Sequence, residues 1–348
     1  MPSIPVGILG ATGMVGQQFI ALLADHPWFT VAYLGASERS AGKAFRDAAA
    51  WRLPNRLPDD VANRVVEAAA PGTAPRLVFS GLDSSVAGEI EAEFARAGHI
   101  VVSNSRNYRM FDTVPLMIPE VNAEHLQLLD AQGAAQGWSG RILTNPNCAT
   151  VVLAMALAPL RQFGIHSTLI TTLQAISGAG YPGVPSWDIL GNVSPHIGGG
   201  EEEKIETETK KILGTFAGGK VTNHSMRLSA TTTRVPVRDG HTGSISIGLD
   251  QKPGADAVID AWRSFRGRPQ ELGLPSAPKQ PIVYLDEVNR PQPLLDVNRD
   301  GGMTVTIGRL RPCPLFDYKF VALGHNTIRG AAGAAILNAE LMHAEGLL

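Results

Sequence analysis

The segment "IPVGILGATGMVGQQFIALL", residues 4–23, constrains the fold more than any other stretch of the chain. A short apolar run stops at Gly10, glycines recur at 13 and 16, and apolar residues then return at helical spacing. A strand that turns at once into a helix needs glycine in this way, because the backbone must bend sharply and approach both helix and ligand closely. The helix start that follows presents unpaired amides to an anion, and a dinucleotide pyrophosphate fits that demand. An ordinary tight turn would also use glycine, but the strand before and the helix after favour nucleotide binding.

The same alternation continues. Strand candidates at 29–37, 76–82 and 99–105 are separated by helical stretches such as "SVAGEIEAEFARAG", which predicts a parallel, doubly wound, Rossmann-like sheet. After a helix candidate at 148–162 the texture changes to strand-like segments, "STLITTLQAIS", "RLSATTTRVPV", "TGSISIGL" and "GMTVTIGRLRP". These predict an α+β unit in which a sheet is covered by one or two helices. The stretch "NTIRGAAGAAILNAELMHAE" is helical and rich in small residues, suited to close packing against the first unit. At 348 residues the α/β chain divides into two domains, expected as 1–147 with 326–348, and 148–325.

Charge excludes some partners. Thirty Lys and Arg nearly balance 32 Asp and Glu without a long run of one sign, so no nucleic-acid footprint is present. No apolar run reaches membrane-spanning length, and the start lacks a signal-like segment, so a cytoplasmic protein is expected. Two cysteines, Cys148 and Cys313, form neither a metal spacing nor a disulfide framework and point to a reducing compartment. The sequons at Asn192 and Asn223 carry little weight in such a chain.

The second strand candidate, "FTVAYLGAS", ends without an acid for a ribose 2′-hydroxyl. "GASERSAGK" instead offers Ser37, Arg39, Ser40 and Lys43, which suit a 2′-phosphate and favour NADP, unless they are simply a solvated basic loop.

The string "NPNCATVVLAMAL" sets Cys148 in the first turn of a helix, where free amides and the helix dipole favour a thiolate. A buried cysteine filling the core is the plainer alternative. Against it stand a polar amide in "QAISGAG", acids and lysines in "GGGEEEK", and an arginine and histidine in "RVPVRDGH". Together with "GILGATGMVGQ", "SNSRNYRMFDTVPLMIPEVN", "EEEKIETETKKILG" and "NTIRGAAGA", these motifs resemble aspartate-β-semialdehyde dehydrogenase, in its archaeal and fungal-like branch. The resemblance covers most of the chain in order.

That resemblance implies NADPH-dependent conversion of aspartyl-β-phosphate to aspartate semialdehyde and phosphate through a cysteine thioacyl intermediate, in the pathway to lysine, threonine, methionine and isoleucine. It implies Cys148 as nucleophile, His241 as acid–base group and Gln174 as the residue orienting the intermediate. Arg234 and Glu201 match the residues that hold the substrate carboxylate and amino group, and Arg109 and Lys204 those that bind phosphate. A neighbouring "ETKK" at 208–211 leaves the Glu201 and Lys204 register ambiguous by one or two turns. Cofactor contacts are implied at Gly10, Thr12, Gly13, Met14 and Val15, at Ser37, Arg39 and Ser40, and at Ser80. Ser177, Gly178, Asn326 and Thr327 are expected near the nicotinamide. The family also implies a homodimer or homotetramer.

Singly, the charged residues could be surface ion pairs. Two enzyme alternatives use the same scaffold. N-acetyl-glutamyl phosphate reduction is disfavoured because "N-P-N-C-A-T" replaces the usual "G-C-Y" setting, whereas malonyl-CoA reduction stays open, with Arg234 and Glu201 favouring an amino-acid substrate. A non-catalytic NADP-binding sensor is the alternative of another class, and a chain freed from chemistry need not keep Cys148 and His241.

Overall fold

The computed structural model describes residues 3–348, so the first two residues of the expected 1–147 span lie outside the described residues. Strand β1 (Ile4–Leu9) leads through the glycine turn into α1 (Met14–Leu23) and on to β2 (Phe29–Ala36). The short β3 (Glu67–Ala68), then β4 (Leu77–Ser80), α2 (Ser84–Arg96), β5 (Ile100–Ser103) and β6 (Arg141–Thr144) complete the first unit. All six strands are parallel in the order β3-β2-β1-β4-β5-β6. The order reverses beside β1, and a crevice opens at such a switch point, beyond the carboxyl ends of the strands.

Helix α3 (Cys148–Leu157) begins the second unit, followed by β7 (Ile165–Gln174), α4 (Glu201–Ile212), β8 (Arg227–Arg234) and β9 (His241–Leu249). Next come α5 (Ala255–Ser264), β10 (Ile282–Leu285), β11 (Val305–Pro312) and β12 (Tyr318–Gly324). These strands form a mixed sheet in the order β8-β7-β9-β12-β11-β10. Residues Ala149 to Leu157 of α3 are all buried, as expected of a helix apolar on every side. The helical pattern predicted over 148–162 divides at 157: Pro159 has no amide to continue the α-helical ladder, and residues 158–163 wind as a 3₁₀ helix.

The chain then returns. A π-helical turn at Ile328–Ala332 feeds α6 (Gly333–Ala344), whose Ile336, Leu337, Leu341 and Met342 share one apolar core with Ile8, Phe19, Phe29 and Phe79 of the first unit. Arg329, fully buried, makes two hydrogen bonds to Glu120, at 2.8 and 2.6 Å. Among the described residues, no helix is long and apolar enough to cross a membrane.

One face of the second sheet packs on α3, with Ile170 of β7 opposite Ile245 of β9. On the other face, Leu169, Thr171 and Leu173 of β7 are exposed.

Candidate active site

A cleft of about 970 Å³ runs between the two units. At one end lies the glycine turn. Gly10 has φ +75°, a conformation that a side chain disfavours, and a Cβ there would meet Gly81 O at 2.9 Å. A Cβ on Gly16 would lie 2.6 Å from Ala11 Cα, so α1 reaches the turn only without side chains. Gly13 caps α1 without a side-chain hydrogen bond, which keeps the helix N-terminus open to an anion. Thr12, Met14 and Val15 line the cleft with Gly10 and Gly13, and Ser37, Arg39, Ser40 and Lys43 line it at the end of β2.

At the other end stands Cys148. Asn147 caps α3 by accepting from the amides of Ala149 at 2.9 Å and Thr150 at 3.2 Å, and this fixes Cys148 in the first turn. Cys148 Sγ and His241 Nε2 are 3.1 Å apart, and the Ala175 amide donates to His241 Nδ1 at 3.1 Å. Asn326 accepts from the Gly240 amide at 2.9 Å and donates to Ser177 Oγ at 2.8 Å, tying the turn before His241 to the Ser177 turn. Ser177, Gly178, Asn326 and Thr327 all line the cleft beside Cys148.

Helix α4 supplies the charges. Its Glu201 pairs with Lys204 at 2.6 Å and accepts from Asn147 Nδ2 at 2.8 Å. Burial raises the Glu201 carboxyl, but the Lys204 charge and the hydrogen bonds outweigh it and hold the group below the ordinary carboxylate range. One heptad later, Glu208 bonds Arg109 at 2.8 Å and accepts from the Asn147 amide at 2.6 Å. Lys211 donates to the carbonyls of Arg109, Phe111 and Val114. The ambiguity between the two E-x-x-K strings thus resolves into two layers: Lys204 lines the cleft, and the 208/211 pair braces the loop that carries Arg109.

Three expectations meet a different local arrangement. Burial pushes the Cys148 thiol up to about 12, with the Glu201 charge adding to it, so the first-turn position does not by itself yield a thiolate. Gln174 is enclosed, with its amide turned to Thr172 Oγ1 at 3.3 Å rather than to the cleft. Ser80 is fully buried at the end of β4, and the cleft wall there is formed by Gly81 and Leu82. Burial, followed by the neighbouring Arg234 charge, lowers His241 to about 3, so its ring is neutral.

Residues 5–129 match the family model "Semialdehyde dehydrogenase, NAD binding domain", and residues 157–329 match "Semialdehyde dehydrogenase, dimerisation domain". The aspartate-semialdehyde dehydrogenase of Methanothermobacter thermautotrophicus is 49% identical over 345 residues, covering 98% of this chain and 99% of that protein. The chain belongs to the aspartate-semialdehyde dehydrogenase family. The Saccharomyces cerevisiae protein of that name is 46% identical over 98% of each chain. The solved structure of aspartate semialdehyde dehydrogenase with NADP from Candida albicans is 44% identical, covers all of both chains and superimposes with a TM-score of 0.91.

In this member of the aspartate-semialdehyde dehydrogenase family, sequence reasoning missed several groups. Glu208 stood in the sequence only as an alternative to Glu201, and its own part in bracing Arg109 was hidden, although a spacing of seven places both acids on one helix face. Arg52 and Tyr181 also line the cleft, with the guanidinium 4.1 Å from the ring centroid, and neither belongs to a recognisable string. Ala175 contributes only main-chain atoms, including a carbonyl that accepts from Arg234 at 2.6 Å.

Proposed function

We propose that the protein reduces L-aspartyl-4-phosphate to L-aspartate 4-semialdehyde and phosphate with NADPH. The observation that carries this reading is the Cys148–His241 pair, 3.1 Å apart, with Cys148 lining a dinucleotide-sized cleft. NADPH fits the residues present: an uncapped helix start, glycines that admit close approach, and hydroxyl and cationic groups after β2. When bound, it supplies the hydride. Cys148 sulfur forms the bond to the acyl carbon as the acyl carbon–phosphate oxygen bond breaks, the thiol proton ends on the departing phosphate, and a thioacyl group is left on the protein. Arg234 and Glu201 suit the α-carboxylate and amino group of the substrate, and Arg109 and Lys204 suit phosphate. In this reading Gln174 orients the intermediate once its amide turns from Thr172 Oγ1 toward Cys148, and Ser80, buried at the end of β4, backs the cofactor site. Residues 1–147 with 326–348 hold the cofactor, and residues 148–325 carry catalysis and dimerisation.

The match to a dimerisation domain and the open face of β7 support a homodimer or homotetramer. Two cysteines without a disulfide suit a cytoplasmic, reducing location. The test is NADPH formation from aspartate semialdehyde, NADP and phosphate. Activity is expected in the wild type and none in Cys148→Ser; reduction of malonyl-CoA instead would overturn the substrate assignment.

A further inference from the structure

The Ala175 peptide is clamped on both sides. The Gln174 carbonyl accepts from the Val235 amide at 3.0 Å, and the Ala175 carbonyl accepts from Arg234 at 2.6 Å. Between these bonds the Ala175 amide donates to His241 Nδ1 at 3.1 Å, in a position with no access to water. A ring nitrogen that accepts a hydrogen bond carries no proton, and a neutral imidazole then carries its proton on the other nitrogen. That nitrogen, Nε2, faces Cys148 Sγ at 3.1 Å. An imidazolium would place an Nδ1 proton against the Ala175 proton and leave a buried amide unpaired. The ring has little room to swing away, because it packs against Gly178, where a Cβ would lie 3.1 Å from Cε1.

We infer that the resting site holds no thiolate–imidazolium pair: the Ala175 amide fixes His241 as the neutral Nε2–H tautomer, which donates to the Cys148 sulfur. This deepens the reading of His241 as an acid–base group. In the resting protein Nδ1 accepts and Nε2 already carries a proton, so the ring can give a proton but take none, and Cys148 rests as a thiol whose own proton stays on sulfur. Ala175 is the positioning residue, acting through its main chain. The charged and titratable groups around the ring come from four places, Cys148 on α3, Glu201 on α4, Arg234 on β8 and His325 after β12, and the Gly240 backbone adds a hydrogen bond that favours a proton on the ring. Of these, Arg234 opposes a second positive charge and Glu201 favours it, with burial the largest influence of all.

The test is a two-bond ¹H–¹⁵N NMR spectrum of the histidine-labelled protein between pH 6 and 8, with the His241 signals assigned by their loss in His241→Asn. The expected result is one neutral Nε2–H pattern throughout. An imidazolium at pH 7, or the Nδ1–H tautomer, would overturn the inference. Iodoacetamide alkylation of Cys148 in a Cys313→Ser background gives a second reading. The rate should fall roughly tenfold for each pH unit below 8, following the thiolate fraction. A plateau extending below pH 7 would mark an ion pair and defeat the inference. Both measurements use the resting protein, so their outcome is separate from success or failure of the semialdehyde assay.

Discussion

Gly330 shows how an absent side chain can set a nucleophile. A Cβ there would come within 2.6 Å of Cys148 Cβ and 3.0 Å of its Cα, so an alanine must displace the first turn of α3. Gly330→Ala should therefore lower turnover by about a hundredfold, the scale expected for a misplacement near 1 Å. Cofactor binding, measured by fluorescence titration, should persist; unchanged turnover would mean that the helix yields without moving the sulfur. Cys148 and His241 were legible because each lies in a short string of particular chemistry. Their ionisation was not, since burial outweighs the helix dipole only once the fold closes around the sulfur. Ala175 was invisible for a different reason: it works through an amide that every residue but proline possesses.

At the scale of elements, α4 explains why a charged run need not face water. Glu202 accepts from the Thr232 amide at 3.0 Å and Glu206 from the Ala230 amide at 2.9 Å, so the helix satisfies the outward edge of β8 while Glu201 and Glu208 face the catalytic side. Periodicity located α4 and the strands, and it failed where one residue altered the hydrogen-bond ladder, as Pro159 does after α3. Asn147 joins the two helices by capping α3 and donating to Glu201. Asn147→Ala should cost about 1–2 kcal/mol of stability in urea titration, the ordinary loss of a cap. It should also raise KM for the semialdehyde, because Glu201 loses a hydrogen bond; a variant altered in stability alone would separate the cap from the site.

Across the whole molecule, the Arg329–Glu120 pair joins the returning chain to the first unit without any exposure of either side chain. Arg329→Met leaves Glu120 buried without its partner and should cost about 3–5 kcal/mol, read as a lower urea midpoint. Removing both charges, with Glu120→Leu, should recover much of that loss. Acid provides a second global test. Burial, aided by Lys211 and Arg161, lowers His125 from 6.5 to about 4, so the unfolded chain binds the proton first. This contribution is complete above pH 6.5 and is lost as pH falls toward 4. Between pH 7 and 5, His125→Gln should lose about 2 kcal/mol less stability than the wild type. Equal losses would place the acid sensitivity elsewhere. The return of α6 also matters during synthesis. Ile336 and Leu337 complete the same core as Ile8 and Phe19, so the first unit leaves the ribosome with an apolar face uncovered. That face stays open until more than 180 further residues, through the second sheet, have been translated. Slow elongation there would lengthen the time in which a chaperone, or another unfinished chain, can occupy the place reserved for α6.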